Sequence, residues 1–112
     1  MYSDYLLPIA VVAFIAWRAW STWSVRQKVP ELLRAGAQIV DVRSPVEFAS
    51  GHAPQSRNIP LSEIANRSNE LDPTKWVIVC CASGSRSAIA RRLLLRKGFR
   101  QVLNAGSWKA LR

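Results

Sequence analysis

The chain has almost none of the residues that build disulfide frameworks or metal centres. Its 112 residues include 2 cysteines and 1 histidine. The cysteines, Cys80 and Cys81, are adjacent, and neighbours seldom reach disulfide geometry, so the pair does not staple the fold. A reducing compartment fits this usage better than an oxidising one. One histidine and two adjacent cysteines do not make a metal-ligand set, and no cofactor is called for. Acidic residues are scarce too: 7 Asp+Glu against 16 Lys+Arg give a net charge of +9. That balance points to an acidic partner, nucleic acid or anionic lipid. The basic residues are scattered or lie beside an apolar segment, which favours a membrane surface over nucleic acid. The length allows one domain at most.

The N-terminus carries that apolar segment. It runs from Leu6 to Trp17 and continues through Arg18, Ala19 and Trp20 to Trp23. Asp4 precedes it, no Lys or Arg does, and no Ala-x-Ala follows, all of which argue against a cleaved leader. About 20 helical residues cross a bilayer, so residues 5–25 suffice as a membrane helix if Arg18 snorkels to one interface. Trp17, Trp20 and Trp23 suit that interface, and Tyr2 and Tyr5 the opposite one. Arg18, Arg26, Lys28 and Arg34 follow the run, which by the positive-inside rule places the C-terminal part in the cytoplasm. The expected organisation is a membrane anchor and basic linker over residues 1–28 and a folded domain over 29–112.

The stretch that carries chemistry begins at Val77. A β-branched run meets Cys80 and Cys81, then Ala82, Ser83, Gly84 and Ser85, then Arg86, Ser87 and a helical run from Ala88 to Lys97. This reads as strand, tight loop and helix N-terminus. Inward-turned backbone N–H groups, the helix dipole and the Arg86 charge would make an anion cradle with a thiol in it. A cysteine held there is expected to ionise more readily than a free thiol.

The spacing of Cys81, Gly84, Arg86 and Ser87 resembles the active-site loop of rhodanese-like sulfurtransferases. Ile39-Val40-Asp41-Val42-Arg43, Glu47-Phe48, Gly51-His52 and Asn58-Ile59-Pro60 look like that family's upstream motifs, in the family's order. The resemblance covers roughly Pro30 to Leu111. It implies a small α/β domain, a central parallel sheet flanked by helices, here preceded by one N-terminal transmembrane helix. It also implies Cys81 as nucleophile, with Ala82, Ser83, Gly84, Ser85, Arg86 and Ser87 binding the substrate. Either Asp41 or Glu47 would support the loop by pairing with Arg86. The implied partners are a small sulfur-donor anion such as thiosulfate, or a persulfide, and a thiol, cyanide or protein-cysteine acceptor. Gln55-Ser56 stand where the family usually has Gly-Ala, and Ala105 replaces the first of a glycine pair.

The remaining elements follow from local signals. Pro30 and Gly36 bound a two-turn helix, and Gln38 to Val42 is a buried strand. Ser44 and Glu47 form a capping box with Pro45 at the first helical position, for a helix to about Ser50. His52 reads as a hydrogen-bonded structural residue at a turn. Asn58-Ile59-Pro60 is a short strand, Ser62 caps a helix to about Arg67, and Trp76 to Cys80 is the central strand. Ile89, Ala90, Leu93 and Leu94 form the buried helix face, Gly98 is a stop, and Phe99 to Leu103 is the next parallel strand. Two other functions stay open. One is a non-catalytic docking module. The other is phosphatase or arsenate-reductase-like chemistry through Cys80, whose register makes a loop one residue longer but has Val79 where such enzymes usually carry histidine.

Overall fold

The computed structural model describes residues 3–112. Tyr2 lies outside them, as does the side chain of Arg26. Four strands form one parallel sheet: β1 (Gln38–Asp41), β2 (Arg57–Asn58), β3 (Val77–Cys81) and β4 (Val102–Ser107). Their order is β2-β1-β3-β4, so β3 is central, as its all-apolar sequence requires. Helices α1 (Ser3–Arg34), α2 (Pro45–Ala49), α3 (Ile64–Arg67) and α4 (Ser85–Arg96) connect and cover it, with 3₁₀ turns at Leu61–Glu63, Ser68–Glu70 and Trp108–Leu111.

Alternation along the strands divides the core into two layers. Val40, Val77, Val79 and Cys81 face Ala90 and Leu94 of α4 and Ile64 of α3. Ile39, Ile78 and Cys80 face Val29 and Leu32 of α1 and Leu111 of the last turn. The strands point their carboxyl ends to one edge, where ligands bind in open α/β sheets.

The N-terminal helix corrects two expectations. Ser3 to Arg34 is one continuous helix, with Pro30 inside it where a separate helix was expected to start. An interior proline costs about 3 kcal/mol, which the packing of Val29 and Leu32 against the sheet offsets. Gly36 does end the helix. Its φ is +89°, and the N–H groups of Ala37 and Gly36 donate to the carbonyls of Leu32 and Leu33 in a Schellman arrangement. The expected transmembrane helix is not met: among the described residues no helix is long and apolar enough to cross a membrane. The uncharged run between Asp4 and Arg18 is shorter than the about 20 residues a bilayer needs. Leu6, Ile9, Val12, Phe14, Trp17 and Trp20 are nonetheless exposed.

Further along, some local signals hold and others do not; the short strand expected over Asn58-Ile59-Pro60 lies at Arg57–Asn58. Ser44 and Glu47 make both hydrogen bonds of the capping box, and His52 stacks on Phe48 with Nδ1 2.9 Å from the Phe48 carbonyl. Ser62 caps nothing, since it lies inside a 3₁₀ turn and α3 begins only at Ile64 without a side-chain cap. Ile89 is exposed rather than buried, because α4 starts at Ser85 and presents Ser87, Ala90 and Leu94 to the sheet. The last strand begins at Val102 rather than Phe99. It carries a bulge at Ala105, so that Val79 pairs with Asn104 but Cys80 with Gly106.

Candidate active site

Strand β3 ends at Cys81 and α4 begins at Ser85, so only Ala82, Ser83 and Gly84 turn the chain. Gly84 makes the turn possible. Its φ is +109°, and a Cβ there would stand 3.2 Å from the Gly106 Cα. In this conformation the Gly84 N–H donates to Cys81 Sγ at 2.9 Å. The Ser87 hydroxyl lies 3.4 Å from the same sulfur. Burial pushes the Cys81 thiol up, but the Ser87 hydroxyl and the N–H groups of Ser87, Gly84 and Ser83 outweigh it, so the net shift is downward.

Cys80, one residue earlier, points to the opposite face among Ile39, Ile78 and Leu111. Burial there, reinforced by the Asp41 charge, pushes its thiol up to about 12. It stays protonated at neutral pH and does not face the loop.

The cationic side of the loop is built by an ion pair. Arg86 Nη1 and Nη2 donate to Glu47 Oε1 and Oε2 at 2.7 and 3.0 Å. Glu47 therefore caps α2 and pairs with Arg86 at once. The Arg86 fork holds its carboxyl down to about 2, helped by the Ser44 N–H and hydroxyl. Asp41 does not join them. Its carboxylate takes the Arg43 Nε and Nη2 at 3.0 and 2.7 Å, and both side chains are buried. Arg43 Nη2 also donates to the Gly51 carbonyl at 2.6 Å, and its guanidinium lies 4.7 Å from the Trp108 ring. The expected full positive charge in the cradle is thus met by a carboxylate already in place.

Of the residues expected at the site, Cys81, Gly84, Ser87 and the Ser83 N–H converge on the sulfur, and Arg86 and Glu47 lie together at the loop's flank. Ser83 and Ser85 place their hydroxyls 3.5 Å apart on the exposed side, and Ala82 is exposed. Sequence reasoning missed Asn104. Its Oδ1 accepts the Ser87 hydroxyl at 2.6 Å and the Gly106 N–H at 2.9 Å, and its Nδ2 donates to the Gly84 carbonyl at 3.2 Å. The available signal was a polar amide two positions beyond Val102, on the strand face that should be core. Beside the loop opens a cavity of about 630 Å³, walled by Arg18 and Ser21 of α1, Ser83 to Ser85, and Asn104 to Ser107. Chemically the arrangement can hold a sulfur anion at Cys81 and an oxyanion near the start of α4.

Comparison with known proteins follows the same residues. The family described as Rhodanese-like domain matches residues 25–112. The chain is 42% identical over 77 residues to the uncharacterized protein YqhL of Bacillus subtilis, covering 66% of this chain and 61% of that one. It is 34% identical over 76 residues to the thiosulfate sulfurtransferase GlpE of Pseudomonas aeruginosa, covering 68% and 69%. Among solved structures, a rhodanese with anions from E. coli superposes with a TM-score of 0.63 at 32% identity, over 67% of this chain and 91% of that one. The human single-domain sulfurtransferase TSTD1 gives 0.64 at 27% identity, over 75% and 88%. The chain thus spans only 61% of the Bacillus relative's length and 36% of a second, a putative sulfur carrier protein, YrkF, from the same organism. A match over residues 25–112, with β1, the capped α2, the Cys81 loop and α4 all inside it, shows that the chain belongs to the rhodanese-like domain family.

Proposed function

We propose that this protein is a sulfurtransferase that carries sulfane sulfur as a persulfide on Cys81. The observation that carries the reading is the Cys81 sulfur under the Gly84 N–H at 2.9 Å, with its thiol pulled down by the loop. Relatives named sulfurtransferase in Allochromatium vinosum and Pseudomonas aeruginosa support it. In the forward step the Cys81 thiolate attacks the outer sulfur of a donor such as thiosulfate. A Cys81–S–S bond forms, the donor's S–S bond breaks, and sulfite leaves with the electron pair. An acceptor thiolate then attacks the outer sulfur and Cys81 leaves as thiolate, so the cycle closes without an oxidant. The loop N–H groups of Ala82 to Ser87 and the α4 N-terminus stabilise the anionic donor and the charged outer sulfur. Arg86 takes part to the extent that the donor displaces Glu47. Assay of the full chain with thiosulfate and a thiol acceptor tests the reading. Sulfite release that depends on Cys81 is expected, and release that survives Cys81→Ser would overturn it.

The location we propose is a membrane surface, with residues 29–112 on the cytoplasmic side and 1–28 as the attaching segment. The exposed apolar residues of α1 and the basic residues after them support the attachment. Sedimentation of the full chain with anionic vesicles, and protection of the domain from protease added outside spheroplasts, are the expected results.

A further inference from the structure

We propose that Asn104 is a positioning residue that holds the Ser87 hydroxyl proton in reserve and releases it to Cys81 only when the thiol ionises. Ser87 is fully buried and has one proton for three acceptors. Asn104 Oδ1 is 2.6 Å away, the Gly84 carbonyl 3.1 Å and Cys81 Sγ 3.4 Å. The shortest contact places the proton on the line to Asn104. Ser87 then offers the sulfur a lone pair, which suits a neutral thiol donating its own hydrogen and does not suit a thiolate.

The Asn104 amide cannot turn to relieve this. The Gly106 N–H can only donate, which fixes Oδ1 towards it, and the Gly84 carbonyl can only accept, which fixes Nδ2 towards that side. The same two partners make the switch cheap. When the Ser87 hydroxyl rotates to a Cys81 thiolate, Oδ1 keeps the Gly106 N–H and leaves no orphaned buried acceptor. The β4 bulge at Ala105 makes this possible, because it brings the Gly106 N–H back to the Asn104 side chain.

This deepens the sulfur-transfer reading and rests on it for the cycle, although the ionisation step needs no donor. With a thiolate, the hydroxyl points at Sγ. Once the Cys81–S–S bond forms and the leaving group takes the electron pair, the charge sits on the outer sulfur, and the hydroxyl returns to Asn104. When an acceptor takes the outer sulfur, Sγ regains its charge and the hydroxyl swings back. The charged and titratable groups around Cys81 are Arg86 of α4 with Glu47 of α2, the Asp41–Arg43 pair at the end of β1, and Cys80. Arg18 of α1 lines the neighbouring cavity. Changes at Asn104 remove none of them.

The test is the pH dependence of Cys81 alkylation by iodoacetamide in the full chain, where the raised Cys80 thiol does not compete. Asn104→Ala removes the nearer of the two rival acceptors and leaves only the Gly84 carbonyl at 3.1 Å as the weaker one, and Asn104→Leu does so while keeping the side chain's shape. Either folded variant is expected to move the alkylation midpoint to lower pH and to speed alkylation below it about threefold, the worth of a modest hydrogen bond. In a Ser87→Ala background the same change should do nothing, since the effect acts through the hydroxyl. An unmoved midpoint, or an equal movement in both backgrounds, would overturn the proposal. Persulfide yield is measured separately. Its absence from wild type, with the alkylation pattern intact, would remove the sulfur-transfer reading and leave the hydroxyl switch standing.

Discussion

At the scale of single residues, the decisive positions are those where backbone conformation and chemistry coincide. Gly84 holds φ at +109° with Gly106 3.2 Å from where a Cβ would be. Gly84→Ala should cost about 1–2 kcal/mol from the left-handed backbone and pull its N–H off the sulfur. Urea unfolding and Cys81 alkylation should both register the change, and an alanine variant with wild-type alkylation would refute the role given to that N–H. Gln55 is the opposite case: a residue with a side chain at φ +61°, where the family usually has glycine. Gln55→Gly is expected to stabilise the domain by up to about 1 kcal/mol, the strain relieved exceeding the added freedom of the unfolded chain. Thermal denaturation reads this, and a lower Tm would contradict it. Sequence reasoning could see that Gln55 departs from glycine, because that is a matter of residue type. It could not see Asn104, whose role depends on a bulge one residue away and on a serine from another element.

At the scale of elements, two ion pairs occupy the sheet's carboxyl edge and behave differently. Asp41 and Arg43 are buried and join β1 to the Gly51 turn. Asp41→Ala strands a buried guanidinium and should cost about 3–5 kcal/mol, read by urea unfolding. Glu47 and Arg86 are part-exposed and join α2 to α4. Because the folded Glu47 value is depressed to about 2 from an ordinary 4.5, the pair contributes fully above the ordinary value and is lost as pH falls through 4.5 towards 2. In the sulfur transfer proposed above, it competes at neutral pH with an anionic donor for Arg86. Glu47→Gln keeps an amide at the capping position and removes the charge, so KM for thiosulfate should fall several-fold with kcat little changed. A raised KM would show that the carboxylate aids donor binding instead. The sequence made α2 and its cap legible because a capping box is local. It left open whether Asp41 or Glu47 reaches Arg86, since that choice is made by how α2 sits against the loop.

At the scale of the whole molecule, the parallel sheet, its central strand and the loop-to-helix turn were legible from apolar runs and helix signals. Each of these is written within a dozen residues or fewer. The N-terminal helix was not, because Pro30 looks like a helix start in the sequence while packing of Val29 and Leu32 on the sheet carries the helix through it. That helix extends the molecule to 57 Å along its longest axis and leaves apolar side chains in the open. The central claim, however, concerns one sulfur atom. Mass spectrometry of the full chain after thiosulfate treatment and desalting tests it most directly. The account predicts a gain of one sulfur atom per chain that persists in Cys80→Ser and disappears in Cys81→Ser; a gain lost in Cys80→Ser and retained in Cys81→Ser would contradict it.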